Sequence, residues 1–442
     1  MNAEWVPPST ALVELHPDPK ARSKAVARRD IPVGSTIFSA PAFATALLEG
    51  EKGHRCDYCL REQSTLKKCS SCGSYWYCDA KCQNEHWQAG HKRVCKKINQ
   101  FTNSMAFQQL EKHGRMDSFL LTHLLAHLST LSEPYSPEVS TELSITLSLL
   151  PGPSGDCAAS NPPYCPIKPP PPSEDLVTDI YSRFGNNNFT IHSHLNSIAH
   201  GIFPQASRMF NHLCTPNAVA KYVLKPGEVA AMEVVSLRDI SSGEEVCIPY
   251  IDPALMQTRH KVFQITYGFT CDCPTCTFLQ KVGQIPDPSL EHGDLIQLGL
   301  KLREFVGVEH YLKTGKLEKK TLEELPKPLR SVLNESYMAE LSETFSKSSH
   351  EGNYAKAADS GVTLLALYLL IGMHLLEMAK TQWNHSFVAL TPSGEEKEVS
   401  KGIVLQLLDL SRQTLQVLGT EGDSETGPFK EIGVLESLVR DV

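Results

Sequence analysis

Seven cysteines and one histidine lie between Cys56 and Cys95 in the spacing C-x2-C-x9-C-x2-C-x5-C-x3-C-x8-H-x3-C. Thiolates and imidazoles so grouped are ligands for zinc, which takes four nitrogen or sulfur donors in a closed tetrahedron. Two C-x2-C knuckles and two later pairs one helical turn apart supply two complete sets. Ligands in interleaved fingers alternate, which assigns Cys56, Cys59, Cys78 and Cys82 to one ion and Cys69, Cys72, His91 and Cys95 to the other. Disulfides are the competing chemistry. The stretch from Met1 to Pro19 lacks the basic start and apolar run of a secretory signal, so reduced, metal-bound thiols are expected. A module of ~40 residues cannot bury enough apolar surface to fold unaided, so metal here supplies folding energy rather than catalysis.

The chain holds 14 cysteines, and three more crowd into Cys271-Asp272-Cys273-Pro274-Thr275-Cys276. Three thiolates leave a zinc one ligand short, so either the fourth position is open, as in a catalytic metal, or a distant residue closes it. Cys157, Cys165, Cys214 and Cys247 are the candidates. Cys157 and Cys165 stand in a Pro- and Gly-rich stretch and read as free surface thiols. Cys247 stands in an alternating apolar strand pattern and reads as core.

The elements that must position these groups are partly visible. Arg29-Asp30-Ile31-Pro32-Val33-Gly34-Ser35-Thr36-Ile37 is echoed by Arg238-Asp239-Ile240-Ser241-Ser242-Gly243-Glu244-Glu245-Val246. Each copy reads as strand, tight turn, strand, with the polar, Gly-ended turn of a hairpin. Residues 1–50 therefore look like the first part of a β domain that resumes near Asn187, with the cysteine finger inserted between. From Lys96 to Thr130 the pattern turns helical, with Asp117 or Ser118 expected to cap the run Phe119, Leu120, Leu121, Leu124, Leu125 and Leu128. His123 and His127 share a face there but lack a zincin's glutamate, and read as ordinary helix histidines. Residues 151–173, from Pro151-Gly152-Pro153 to Pro169-Pro170-Pro171-Pro172, can form neither ladder nor helix and read as a mobile polyproline-like linker, docking on the finger or on a partner being the alternative. Past Cys276, charged helical stretches predict an all-α domain. Its apolar run Thr363 to Met373 is far shorter than the ~20 residues that span a bilayer. A second helix is expected over Ser400 to Leu418, with Val404, Leu407, Leu408, Leu415 and Leu418 on one stripe and Gly419 as its stop. Lys67, Lys68, Lys81, Lys92, Arg93, Lys96 and Lys97 make the finger basic within a chain of formal net charge -8, as a solvated face or a contact surface.

Asn211-His212-Leu213-Cys214-Thr215-Pro216-Asn217 resembles the N-H-S-C-x-P-N signature of SET-domain lysine methyltransferases. Gly243-Glu244-Glu245-Val246-Cys247-Ile248-Pro249-Tyr250 resembles the G-E-E-L-x-x-x-Y strand that follows it there, and Tyr267-Gly268-Phe269-Thr270-Cys271 resembles the opening of the post-SET C-x-C-x2-C. Asn187-Asn188-Phe189-Thr190-Ile191 and Gly201-Ile202-Phe203-Pro204 are similar to two upstream elements. The cysteine finger, with Trp76, Tyr77 and the Gln83, Trp87, His91 helix, resembles a MYND finger. Together these features resemble the SET and MYND domain-containing protein-lysine methyltransferase family.

The resemblance implies an α+β chain. Its β-rich SET domain would be split into residues 1–50 and 186–252 by a two-zinc MYND finger at 51–97. A helical insertion would fill 98–185, a zinc-bound post-SET segment 253–278, and a tetratricopeptide-like all-α domain 279–442. It implies that Cys214 joins Cys271, Cys273 and Cys276 to make three zincs per chain. It further implies S-adenosylmethionine held by Asn211, His212 and Phe269, Tyr250 nearest the transferring methyl, and Tyr267 lining a lysine channel. The implied partners are a lysine-bearing protein, histone or other, and proline-rich peptides at the finger, with weak nucleic-acid contact also seen in basic fingers. The reading includes no membrane, a monomer, and a cytoplasmic and nuclear location. Two departures stand out. The family's G-x-G appears as Arg22-Ser23-Lys24, so either Arg22 or Lys24 reaches the methyl donor's carboxylate through its side chain or the cofactor site is weakened. Leu213 stands where serine is usual. The first departure favours an alternative, a catalytically weak MYND adaptor for proline-rich partners.

Overall fold

The structure, a computed structural model, describes residues 11–441 except 153–160, 195, 290, 317–319, 352, 372–407, 410, 414 and 424–427. Strands β1 (Val13–Asp18) and β2 (Arg22–Ala27) form an antiparallel hairpin whose turn is closed by Asp18, accepting from the amides of Lys20 and Ala21 at 2.8 and 2.9 Å. Then come β3 (Thr36–Pro41) and β4 (Ala44–Leu47), and within the finger the short ribbon β5 (Lys67–Lys68) and β6 (Trp76–Tyr77). Strand structure resumes with β7 (Asn188–Ser193), β8 (Asn196–Ile202), β9 (Asn211–His212), β10 (Ala218–Leu224), β11 (Ala231–Ser236) and β12 (Cys247–Ile248), and β13 (Gly422–Asp423) lies near the C-terminus. The early and late strands are stitched together: β3 pairs with β11 and β4 with β8, in sheets ordered β13-β10-β11-β3 and β4-β8-β7. Ile37, Phe38 and Ala40 of β3 join Ile191, Ile198, Phe203, Met232, Val234 and Val246 in one apolar core, so neither stretch could bury its apolar face without the other.

The quasi-repeat does not form two hairpins. Its two copies pair with each other. Ile31 N donates to Ile240 O at 2.8 Å, and Ile240 N donates to Ile31 O at 2.9 Å. Asp239 accepts from Val33 N at 2.9 Å and Asp30 accepts from Ser242 N at 2.8 Å, so the aspartate of each copy satisfies the turn of the other. The isoleucines at the matching position of the two copies are buried where the copies pair: Ile31 and Ile240 are both 1% exposed. The flanking strands β2 and β3 are thereby released to pair with β1 and β11.

The helix after the finger runs Lys112–Leu128, with Glu111 at its N-cap position. Asp117 and Ser118 are interior to it rather than caps, because both are engaged by other segments: Asp117 accepts from Tyr181 OH at 3.1 Å and Ser118 donates to Pro163 O at 2.5 Å. The described part of the proline-rich stretch is docked on this helix and on the segments flanking it, not a free linker. Prolines lack an N–H but keep a carbonyl. Pro166 O accepts from Lys97 and Pro169 O from Tyr135, at 3.1 and 2.9 Å, while Cys165 N donates to Thr122 Oγ1 at 3.0 Å. Cys165 is fully buried, which pushes its thiol up to about 11, so it is no surface thiol. Cys157 lies outside the described residues. Cys247 is core, as expected.

Helices His292–Val306, Glu335–His350 and Tyr354–Ile371 pack around Leu302, Val332, Tyr337 and Leu364. Leu408, Leu415 and Leu418 are buried, and Gly419, at φ 68, donates its amide to Leu415 O at 3.1 Å; Val404 and Leu407 lie outside the described residues. Next, β13 joins β10 in parallel, and its buried Asp423 accepts from Arg55 Nη1 at 2.7 Å, Arg61 Nε at 3.1 Å and Glu62 N at 3.2 Å. One short C-terminal strand thus ties the finger to the central sheet. Among the described residues, no helix is long and apolar enough to cross a membrane.

Candidate active site and metal centres

The finger gathers its donors into the two predicted sets, Cys56, Cys59, Cys78, Cys82 and Cys69, Cys72, His91, Cys95, the atoms of each lying within 4.8 Å of one another. Four sulfurs at ~2.3 Å from one zinc would stand about 3.8 Å apart, and a sulfur–nitrogen pair about 3.5 Å apart. Cys59–Cys78 at 3.6 Å and Cys69–Cys95 at 3.7 Å match the first, and His91 Nε2 at 3.4 Å from Cys69 and 3.7 Å from Cys72 matches the second. Burial holds the His91 imidazole down at about 4, so at neutral pH it is the uncharged ligand form. Local sequence sets this geometry. Asp79 accepts from Cys82 N at 2.9 Å to start the helix that spaces Cys78 from Cys82. Gly90, at φ 152, lies so close to the Lys112–Leu128 helix that a Cβ there would come within 3.0 Å of Ala126 backbone. His127 fastens that contact, bonding to Ala89 O at 3.0 Å, while His123 bonds Thr45 O of β4 at 2.7 Å. Of the basic residues singled out above, Arg93 and Lys97 are spent on Ser129 O and Pro166 O, while Lys67, Lys68, Lys81 and Lys96 are exposed.

Cys214 joins Cys271, Cys273 and Cys276 in a third four-donor set, so the distant cysteine closes the site. Cys214 Sγ lies 3.9 and 3.5 Å from the sulfurs of Cys271 and Cys276. Pro274 occupies the first turn of the helix Pro274–Val282, and Cys273 caps it, accepting from Cys276 N at 3.4 Å. The cap fixes two ligands one turn apart.

Beside this cluster an aromatic site assembles. Parallel pairing of β9 with β12 sets Asn211 opposite Cys247 and His212 opposite Ile248, which brings Tyr250 alongside. Tyr250 and Tyr267 rings lie 5.0 Å apart, Phe263 and Phe269 stack at 5.0 Å, and Phe269 stands 6.5 and 6.2 Å from the two tyrosines. Tyr250 OH donates to Phe210 O at 2.6 Å and Tyr267 OH to Tyr250 O at 3.0 Å. Burial pushes the Tyr267 phenol up to about 12 and raises that of Tyr250 as well, so both keep their protons at neutral pH.

The structure brings Asn211, His212, Tyr250, Tyr267 and Phe269 together, and places Arg22 and Lys24 on β2 next to Asn211. Asn211 Nδ2 donates to Ser23 O at 2.9 Å and to Glu245 Oε1 at 2.8 Å, so both amide hydrogens are used inside the protein. His212 bonds Tyr250 N through Nδ1 at 3.1 Å and Cys214 Sγ through Nε2 at 3.2 Å. Arg22 takes up φ 66, the left-handed backbone expected of glycine, with its guanidinium on Ser148 O. Sequence reasoning missed Arg208, which donates to Ser23 Oγ and whose pKa is lowered by burial and then by the nearby Arg22. No spacing signalled it. Glu245 lay within a quoted motif, and the adjacency of that motif to Asn211 was the clue available.

The MYND finger family matches residues 56–95. The chain is 28% identical over 343 residues to the N-lysine methyltransferase SMYD2 of Gallus gallus, covering 72% of this chain and 73% of that protein. It is 29% identical over 272 residues to that of Rattus norvegicus, covering 58% of each, and 27% identical over 311 residues to that of Homo sapiens, covering 64% and 67%. A solved structure, "Crystal structure of the SET domain of LSMT bound to Lysine and AdoHcy", is 12% identical over 99% of this chain and 88% of that one, and its TM-score of 0.27 is too low to bear on the fold. The family match covers the finger alone, while the similarity to these N-lysine methyltransferases runs well beyond its 40 residues.

Proposed function

We propose that this chain is an S-adenosylmethionine-dependent protein-lysine N-methyltransferase. The observation that carries the reading is the convergence of Asn211, Tyr250, Tyr267 and Phe269 beside a closed four-cysteine cluster, built by the β9–β12 pairing. S-adenosylmethionine, when bound, supplies an electrophilic methyl group on its sulfonium. The rest falls to the protein. Lysine, with a pKa of ~10.4 in water, must enter as a neutral amine, and a buried aromatic channel disfavours the ammonium. Tyr250 has committed its proton to Phe210 O, so its oxygen lone pairs are left to accept an N–H from the amine and aim the nitrogen. Tyr267 and Phe269 wall the channel and exclude water. Phe269 offers a face for an adenine ring. Asn211, its hydrogens spent, contributes Oδ1 as an acceptor. Arg22 and Arg208 bring positive charge to the Ser23 end of the site, with Lys24 beside them, where a carboxylate would be held.

The zincs hold structure and do no chemistry, because each is closed by four protein donors. The finer organisation belongs to the same reading: a SET domain split by the finger, a helical wall on one side of the cleft, and a finger that docks proline-rich segments. The adaptor alternative draws on Arg22, whose guanidinium is held by Ser148 O. Calorimetry with S-adenosylmethionine decides between them, followed by transfer of radiolabelled methyl to histones and a lysine-peptide array. Binding with transfer is expected; neither binding nor transfer would leave the adaptor.

A further inference from the structure

His212 touches both the third cysteine cluster and the aromatic site. The backbone amide of Tyr250 can only donate, and it lies 3.1 Å from Nδ1. Nδ1 is therefore the acceptor, and the ring proton sits on Nε2. Nε2 in turn lies 3.2 Å from Cys214 Sγ. A zinc held by four thiolates carries excess negative charge on its sulfurs, and an N–H aimed at one of them relieves it. The ring is held in place by Phe263 at 4.6 Å and Tyr250 at 5.4 Å. Both nitrogens are thus spent inside the protein, and only the backbone of residue 212 remains for a cofactor.

We propose that His212 is a positioning residue: Nε2–H donates to the metal-bound Cys214 thiolate while Nδ1 holds the Tyr250 backbone, so that metal loading of this cluster fixes where Tyr250 stands. The consequence for methyl transfer rests on the function proposed above; the link from metal to His212 to the Tyr250 amide does not. Without the ion the four sulfurs no longer share one geometry, and His212 loses its fixed acceptor. The finger, whose ligands make no such contact with Tyr250, is the internal control.

The test uses the full zinc-loaded chain and two variants. His212→Phe keeps a ring between Phe263 and Tyr250 but loses both hydrogen bonds; His212→Gln keeps one donor and one acceptor. Each protein is challenged with EDTA and iodoacetamide, and alkylation is followed by peptide mass spectrometry. In His212→Phe, Cys214, Cys271, Cys273 and Cys276 should react about 10-fold faster or more, the range expected for loss of an outer-sphere donor, with the finger cysteines unchanged and His212→Gln close to wild type. Hydrogen exchange at the Tyr250 amide should rise in His212→Phe and also in wild type stripped of this metal. Cluster alkylation in His212→Phe within about twofold of wild type, equal acceleration in both variants, acceleration spreading to the finger, or unchanged Tyr250 exchange on metal removal would each overturn the proposal. These readouts need no methyl transfer, so a failed methyltransferase assay would strike the function reading and leave this one to be judged separately.

Discussion

The two metal-bearing regions solve the same coordination problem in opposite ways. In the finger all eight donors fall within residues 56–95, and short-range devices set them: two knuckles, the Asp79 cap and a helical turn. The third cluster draws one ligand from position 214 and three from 271–276, and it exists only once β9 has paired with β12. A local site can be read from spacing because spacing is its geometry. A non-local one needs the fold, and in this chain it is the non-local cluster that sits against the aromatic site.

If that contrast is right, the finger should depend on metal more completely than any other part of the chain. Structural zinc contributes ~10–16 kcal/mol in finger peptides, far more than the finger's small apolar core could replace. Cys82→Ser should abolish hydrogen-exchange protection over residues 56–95 while leaving β10 and β11 protected. Protection retained in the finger would mean that packing on the Lys112–Leu128 helix suffices to fold it.

The next largest effect should come from the C-terminal strand that ties the finger to the central sheet. Asp423→Ala removes the acceptor shared by Arg55 and Arg61 and with it two buried ion pairs, a loss of about 3 kcal/mol. Arg55 keeps Glu51 at 2.8 Å, which limits the damage. Urea denaturation should show the loss as a lowered midpoint, and an unshifted midpoint would show the clasp to be dispensable.

How much was legible follows the same line. The finger's ligand sets, the buried Cys247 and the apolar run that begins at Thr363, inside the helix Tyr354–Ile371, are readable because period and spacing carry them. The quasi-repeat reads as two hairpins although its copies pair with each other, since sequence shows a turn's chemistry without showing what it pairs with. The helix start at Lys112 was missed because Asp117 and Ser118 have capping chemistry that tertiary partners claimed instead. Cys165 was misread for a related reason: proline carbonyls can be bound from outside, and burial of a proline-rich segment leaves no periodic signature. At the site, Arg208 was invisible, whereas Asn211 and Tyr250 were marked by their motifs.

Within the aromatic site, Tyr250→Phe deletes one oriented hydroxyl and should lower turnover by ~10²-fold at saturating S-adenosylmethionine, with the fold and the zinc content unchanged. Single-turnover methyl transfer measures this directly. A rate within a few-fold of wild type would move the orienting role to Tyr267.

The smallest effect separates binding from chemistry. Asn211 spends both amide hydrogens on Ser23 O and Glu245 Oε1, which ties the β1–β2 hairpin to β9 and holds Arg22 and Lys24 at the site's edge. Asn211→Ala cuts that tie and removes the Oδ1 acceptor, contacts that exist before any methyl moves. Losing interactions made equally in ground and transition states raises KM and spares kcat. The variant should therefore raise the KM for S-adenosylmethionine by about 10-fold with kcat nearly unchanged, the worth of one or two hydrogen bonds to a bound ligand. A fall in kcat equal to that of Tyr250→Phe would instead place Asn211 among the groups that act on the transferring methyl, and the division between a cofactor edge and a lysine channel would have to be redrawn.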